Sequence, residues 1–172
     1  MWKSTGTLAA LALAGCTTVP EDEPAQGTES IAFSTGPCFG ACPLFEVEVA
    51  SDGEGTYRGE RFVAAKGERS FTASASEWQA FADRLAPYRP ETSVKYGHGA
   101  CDGPTVTDQA SVVVTWHDAD GTETTLDWYL GCPQPGLAEN RERIYDAWQE
   151  LPLDDLVGTA QDRFRYEQTE GG

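Results

Sequence analysis

Positive charge is scarce in this sequence. Lysine and arginine together number 12 against 28 aspartates and glutamates, which leaves a formal net charge of −16 at pH 7. The phosphates of nucleic acids and anionic lipid head groups repel so acidic a chain, so we expect neither as a direct partner. The charge is typical of a well-solvated surface, and an acidic face that binds a basic peptide or a divalent cation is the alternative.

Histidine is also scarce, and the motifs of common catalytic centres are missing from the sequence. The two histidines are His98, in a glycine-flanked stretch, and His117, beside an acidic turn. The sequence contains no Gly-x-Ser-x-Gly, no phosphate-binding glycine loop, no His-Glu-x-x-His and no haem-attachment motif. We therefore predict that the protein is not an enzyme and needs no cofactor, with His117 a solvated turn residue.

No apolar run is long enough to span a bilayer as a helix. A short apolar segment, Leu8 to Ala14, follows the positive Lys3 and ends in Leu13-Ala14-Gly15-Cys16. This arrangement resembles a bacterial lipobox, in which a signal peptidase cuts before the cysteine and the new N-terminal cysteine carries lipid. We therefore predict a signal peptide at residues 1–15 and lipidation of Cys16.

Lipidation at Cys16 implies a place in the bacterial cell envelope and a membrane partner reached through the N-terminal lipid. Each buried methylene contributes about 0.8 kcal/mol, and two or more acyl chains anchor a protein stably. Thr17 stands where an aspartate would indicate inner-membrane retention, which favours the outer membrane, facing the periplasm. Residues 16–30 carry an acidic run and two prolines, and this composition predicts a flexible tether.

Cysteine usage fits an oxidising compartment. The chain has five cysteines, and setting aside Cys16 leaves four: Cys38, Cys42, Cys101 and Cys132. An even number in an exported protein favours two disulfides, for which three pairings are open. We prefer Cys38–Cys42 with Cys101–Cys132, closures that contribute about 2 and about 3–4 kcal/mol. The crossed pairings remain open.

Two other roles for these cysteines are weighed against the disulfides. A metal site could use Cys38, Cys42, Cys101 and Cys132 with His98, but only one cysteine pair is close in sequence. A thiol-exchange site could use Cys38 and Cys42. Exchange sites need a thiol of lowered pKa beside a cation or a helix N-terminus, whereas here a strand follows and no basic residue lies nearby in sequence.

Alternation of apolar and polar residues predicts several strands and hairpins. The predicted strands are Ile31 to Ser34, Phe45 to Val49, Thr56 to Glu60, Phe62 to Ala64 paired with Arg69 to Ala73, and a hairpin from Val112 to Trp128. Tyr57 is expected to point inward. Residues 91–110 are predicted to be a loop.

Two helical stripes follow the strands. Ser74 or Ser76 is predicted to begin a helix with a capping box, and its apolar residues from Trp78 to Leu85 recur at helical spacing. A second stripe runs from Leu137 to Leu151, and Leu153 to Thr159 predicts a further turn. Together these elements predict one α+β domain at residues 31–160, with antiparallel hairpins packed against two helices, and a disordered tail at 161–172.

Several of these motifs together resemble the bacterial domain-of-unknown-function family DUF6438. They are the Gly36-Pro37-Cys38-Phe39-Gly40-x-Cys42-Pro43 loop before a Phe45-x-Val47 strand, the Ser51-Asp52-Gly53 turn with Tyr57 and Gly59, Thr107-Asp108 before a valine-rich strand, Asp120-Gly121, and Tyr129-x-Gly131-Cys132. The resemblance covers about Ile31 to Leu151 and implies the fold and compartment. It implies no particular activity.

The expected function is that of an envelope lipoprotein with a non-enzymatic binding or structural role. An envelope protein is the expected partner, and Phe39 with Trp128-Tyr129 are candidates for an exposed recognition patch. The alternatives are a thiol-disulfide oxidoreductase that uses Cys38 and Cys42, and a metal-binding module.

Overall fold

Within the described residues, seven strands form one β-sheet. The computed structural model describes residue 1 and residues 27–97, 99–101, 103–134 and 140–168. The strands are β1 Ser30–Thr35, β2 Leu44–Ala50, β3 Glu54–Arg61, β4 Gly67–Thr72, β5 Val94–Tyr96, β6 Ser111–His117 and β7 Glu123–Tyr129. Their order is β4-β3-β2-β1-β6-β7-β5, antiparallel except where β5 lies parallel to β7. The α+β single-domain prediction is confirmed.

Strand β1 lies at the centre of this sheet and joins its two halves. It pairs antiparallel with β2 on one side and with β6 on the other. Phe33 stands opposite Val47 and Val114 in the two registers, and all three side chains are buried. Because alternate residues of a strand face opposite sides, this register puts the apolar residues of all three strands on one common face.

Short helices follow the strands, and the first three of them bury apolar residues. They are α1 Ala75–Leu85, α2 Arg141–Tyr145, α3 Asp154–Val157 and α4 Arg163–Gln168, with 3-10 turns at Ala86–Tyr88 and Ala147–Glu150. The predicted capping box of α1 is confirmed: Ser74 Oγ accepts from the Glu77 N–H, and the Glu77 carboxylate accepts from the Ser74 N–H. Phe81 of α1 packs edge-on against Phe33, with ring centroids 6.2 Å apart.

The second helical stripe is shorter and more broken than its spacing predicts. Leu137 lies outside the described residues, and α2 ends at Tyr145, after which Asp146 leaves α-helical geometry at φ −92° and ψ 12°. The chain then continues as a 3-10 turn, which places Trp148 edge-on against Phe45 at 5.8 Å. Two short pieces thus bury the same apolar side that one helix would have buried.

Two strand assignments need correction. Phe62 adopts φ 55°, which ends β3, and β4 then pairs directly with β3 rather than with a strand at residues 62–64. The Ala64 and Ala65 N–H groups bond instead to carbonyls of α3, at 3.2 and 2.9 Å. In the predicted loop 91–110, β5 forms three residues of parallel pairing with β7, a stretch too short to show alternation.

The predicted disordered tail is wrong for Arg163–Gln168, which form α4. The Glu167 carboxylate accepts from the Phe62 N–H at 2.7 Å and pairs with Lys66 at 3.2 Å. These contacts attach α4 to the connection between β3 and β4 and hold an otherwise polar segment in place. Residues 169–172 lie outside the described residues.

The register gives the sheet two distinct ends. At the entry end, the Gly27 N–H bonds to Ala119 O at 2.9 Å, beside the β6–β7 turn, and β1 begins. At the disulfide end lie residues 36–43, 103–110 and 130–134, where β1 and β7 finish and β2 and β6 begin. Central strands of six to seven residues separate the two ends by about 20 Å.

Buried phenols make the fold sensitive to alkaline pH. Burial raises the pKa of Tyr57, Tyr88 and Tyr145 above the usual value. A phenol whose folded pKa exceeds its unfolded value of about 10 stabilises the fold fully below pH 10, and this contribution is lost as pH rises toward the folded pKa.

We expect the urea concentration at the midpoint of unfolding to stay constant up to about pH 9 and to fall above pH 10. Tyr57→Phe should reduce that fall, and an undiminished alkaline loss in this variant would contradict the assignment.

Candidate functional site

A small loop closed by a disulfide projects from the disulfide end. Cys38 and Cys42 are bonded, with Cα atoms 5.8 Å apart, and Cys101 is bonded to Cys132, with Cα atoms 5.3 Å apart. This is the pairing preferred from the sequence. Within the first loop Gly40 adopts φ 140°, a conformation that side chains disfavour and that allows so short a closure. We call residues 38–42 the disulfide loop.

Phe39 stands at the tip of the disulfide loop and is 87% exposed. Its backbone N–H nevertheless bonds to Asp108 O at 3.1 Å. The base of the loop is held by the Thr35 hydroxyl, which donates to Pro43 O at 2.6 Å, and by the Gly36 N–H, which donates to Ser111 O at 2.8 Å. A large apolar ring is therefore presented to solvent on a backbone fixed at several points.

A cavity of about 390 Å³ opens beside the disulfide loop, and we call it the groove. It is lined by Cys38, Cys42, Asp108, Gln109, Ala110, Leu130, Arg141, Glu142, Tyr145 and Asp146. The disulfide, Ala110 and Leu130 supply apolar surface, while α2 and the segment before β6 supply polar and charged groups. Pockets of this size with apolar walls and a few polar groups are typical of ligand and partner sites.

Polar groups of the groove sit in a partly buried setting. Arg141 Nη1 donates to Leu130 O at 2.9 Å, which fixes α2 to the end of β7. Burial raises the pKa of Asp146; Glu142 adds to the shift, and Arg84 and Arg163 oppose it. Among the described residues, the buried Tyr145 hydroxyl has no hydrogen-bond partner. A buried hydroxyl without a partner is destabilising.

A second, smaller cavity of about 130 Å³ lies on another side of the disulfide loop, and we call it the notch. It is lined by Pro37, Cys38, Gly40, Cys42, Leu44, Arg61 and Phe62. Arg61 comes from the end of β3, and its guanidinium lies 4.9 Å from the centre of the Phe62 ring. Cys38 and Cys42 thus line two cavities of different charge.

The other disulfide belongs to the core. Cys132 is fully buried, and its carbonyl accepts from Trp128 Nε1 at 2.9 Å. Trp128 is also fully buried, so the hypothesis of an exposed patch at Trp128-Tyr129 is wrong for the tryptophan. Tyr129 is half-buried and donates to Val106 O at 3.0 Å. Of the three candidate recognition residues, Phe39 is the exposed one.

The four-cysteine metal alternative does not fit this arrangement. All four sulfurs are in disulfides, whereas a zinc site needs thiolates. Across the described ranges, no group of three or more histidine, cysteine, aspartate or glutamate side chains is placed to hold a metal ion. His98 and Cys16 lie outside the described residues. His117 is half-exposed at the end of β6, 3.4 Å from Glu123, as a turn-side residue.

The fold places two basic side chains beside the cavities that Cys38 and Cys42 line. The sequence places no basic residue near Cys38 and Cys42, yet Arg61 lines the notch and Arg141 lines the groove. These arginines are 19 and 99 residues from Cys42 along the chain (61 − 42 and 141 − 42). The spacing of residues along the sequence therefore does not predict that these arginines lie near the disulfide. The same holds for Tyr145 and Asp146 on the groove wall.

The DUF6438 family, a domain of unknown function, matches residues 29–150. The chain belongs to this family. The DUF6438 match contains both disulfides, the groove and the notch, whereas α3 and α4 lie beyond it. Searches among curated proteins and among solved structures found no match. No helix in the described part of the chain is long and apolar enough to cross a membrane.

The two disulfides should contribute differently to the thermal stability of the domain. Cys101→Ser removes a closure with a sequence separation of 31 and leaves the Cys132 thiol in the core, so we expect the melting temperature to fall by roughly 5–15 °C. The double change of Cys38 and Cys42 to serine should cost about half as much, because that loop is short. Calorimetry with thiol-mapping mass spectrometry measures both. An unchanged melting curve for Cys101→Ser, with a free thiol at Cys38 or Cys42, would contradict the pairing.

Proposed function

We propose that this protein is a lipid-anchored binding domain of the bacterial cell envelope, with a non-enzymatic role. In this proposal Cys16 carries the lipid, and the disulfide loop with the groove recognises another envelope protein. The observation that carries it is Phe39, a large apolar side chain 87% exposed on a backbone held by the disulfide and by Asp108.

The position of the disulfide loop supports presentation to a partner away from the membrane. The described domain begins at the entry end, and Phe39 lies at the opposite end of the sheet, about 20 Å away. Residues 16–26 can span at most about 36–40 Å when fully extended. With an anchor at Cys16 in the outer membrane, the disulfide loop would then point into the periplasm.

The chemistry of the site indicates the kind of partner. Exposed aromatic residues on rigid backbones act as anchors that fill a pocket on the partner, and pre-organisation lowers the entropic cost of binding. The acidic side chains of the groove, Asp108, Glu142 and Asp146, lie beside this anchor. A protein with an apolar pocket and a neutral or basic rim therefore fits best, which agrees with the strongly negative chain.

Acylation at Cys16 can be tested directly. We expect the mature protein, expressed in a Gram-negative bacterium, to begin at Cys16 and to incorporate an alkyne-labelled palmitate. Cys16→Ser should abolish both the label and membrane association. Because Cys16 is remote in sequence from the domain, the thermal stability of the purified domain should be unchanged. A mature protein that retains residues 1–15, carries no lipid and stays in the cytosol would contradict the proposal.

The recognition role of Phe39 can be tested with a photo-cross-linking amino acid at position 39 in intact envelopes. The captured protein is then purified and titrated against wild type, Phe39→Ser and Phe164→Ser. Phe164 is the matched control, since it is 63% exposed on α4. We expect Phe39→Ser to weaken binding by about tenfold or more, as loss of a hot-spot aromatic does, without change in stability. Equal affinity of wild type and Phe39→Ser would refute the role.

A further inference from the structure

We propose that the Cys38–Cys42 disulfide is a thiol-exchange site for small anionic thiols, which attack it from the notch beside Arg61. This is a chemical activity beyond partner binding, and it does not depend on the proposed function. The observations that carry it are the accessibility of this bond, the charge of the notch and the bonds that hold the loop independently of its sulfurs.

The two disulfides of the domain differ in access. Cys38 and Cys42 are half-buried, and both line the groove as well as the notch. Cys132 is fully buried within the core. Its partner Cys101 is half-buried like Cys38 and Cys42, so the second disulfide has one exposed side. An attacking thiolate must reach a sulfur atom along the line of the S–S bond, so exchange at Cys38–Cys42 is open at either cysteine, whereas at Cys101–Cys132 it is open at Cys101 alone. The second disulfide serves as an internal control.

The two approaches to the Cys38–Cys42 bond differ in charge. Of the described residues that line the notch, Arg61 is the charged one, and its side chain is 59% exposed. Arg61 pairs with Glu167 at 3.4 Å, and Glu167 itself lies outside the lining of the notch. The groove side instead carries three carboxylates and one guanidinium, that of Arg141. An anionic thiol is therefore favoured on the notch side, and a cation there also stabilises the departing thiolate.

The loop keeps its place when the disulfide opens. The Phe39 N–H, the Thr35 hydroxyl and the Gly36 N–H each make a hydrogen bond to a segment other than the disulfide. None of these bonds requires the S–S link. Reduction of Cys38–Cys42 should therefore proceed without unfolding.

The exchange is a two-electron reduction of the protein. The thiolate of a small anionic thiol attacks one sulfur, the Cys38–Cys42 bond breaks, and its electron pair leaves on the other cysteine as a thiolate that takes a proton from water. A second thiolate then attacks the mixed disulfide, which releases the oxidised small-molecule disulfide and the second cysteine thiolate. One protein disulfide is reduced and two thiols are oxidised, and the reverse steps close the loop again.

The test uses the folded domain with glutathione as the anionic thiol and 2-mercaptoethanol as the neutral one. Alkylation and peptide mass spectrometry report each disulfide over time, while circular dichroism reports the fold. We expect Cys38–Cys42 to open before Cys101–Cys132 in a folded protein. Arg61→Gln should lower the ratio of glutathione rate to 2-mercaptoethanol rate about three- to fivefold at low ionic strength, and salt should remove this difference.

Arg58→Gln is the matched control, because Arg58 lies on the same strand and is ion-paired like Arg61, with Glu68 at 2.9 Å, but does not line the notch. It should leave the rate ratio unchanged, and Arg61→Lys should retain most of the wild-type ratio. If Arg61→Gln alters the fold, the rate ratio of Arg61→Lys and the salt dependence of the wild-type rate ratio still test the role of the positive charge. Simultaneous loss of both disulfides only on unfolding, or a rate ratio unaffected by Arg61→Gln and by salt, would overturn the proposal.

Discussion

The pairing of β1 with two strands that are far apart in sequence is the constraint on which the rest of the structure depends. Ile31 and Phe33 face a core that β2 and β6 complete from either side. Because Thr35 stands opposite Val112, the chain that leaves β1 enters the same region of space as the chain that approaches β6. The disulfide loop and its neighbour Asp108 meet for this reason.

The candidate site is consequently a composite of distant segments. The disulfide loop follows β1, and the groove wall comes from α2 and from the segment before β6. Arg61, at the end of β3, lines the notch. Each segment by itself is a common hairpin or helix without a distinctive functional motif. Their convergence at the end opposite the start of the domain places an exposed phenylalanine, a cavity and a half-buried disulfide together.

Recognition and redox chemistry would share the same five residues in this arrangement. Phe39 lies between the two bonded cysteines, so its freedom to move depends on whether they are joined. In the proposed recognition role, the intact bond would restrict the positions open to the ring and so lower the entropic cost of binding. With the bond open, the hydrogen bond from the Phe39 N–H to Asp108 O would still tether the loop.

The sequence by itself determined the features that depend on nearby residues: the alternating inward faces of β1, β2, β6 and β7, the capping box at Ser74, and a preference for the short Cys38–Cys42 closure. Tertiary structure alone decided the three-residue β5, the ordering of α4 through a contact 105 residues away, the burial of Trp128 and the exposure of Phe39. It also brought Arg61 to the disulfide. Local sequence patterns indicate periodicity and turns. The position of Arg61 near Cys38 and Cys42 depends instead on the pairing of strands that are distant in sequence, and the spacing of residues along the chain does not predict that pairing.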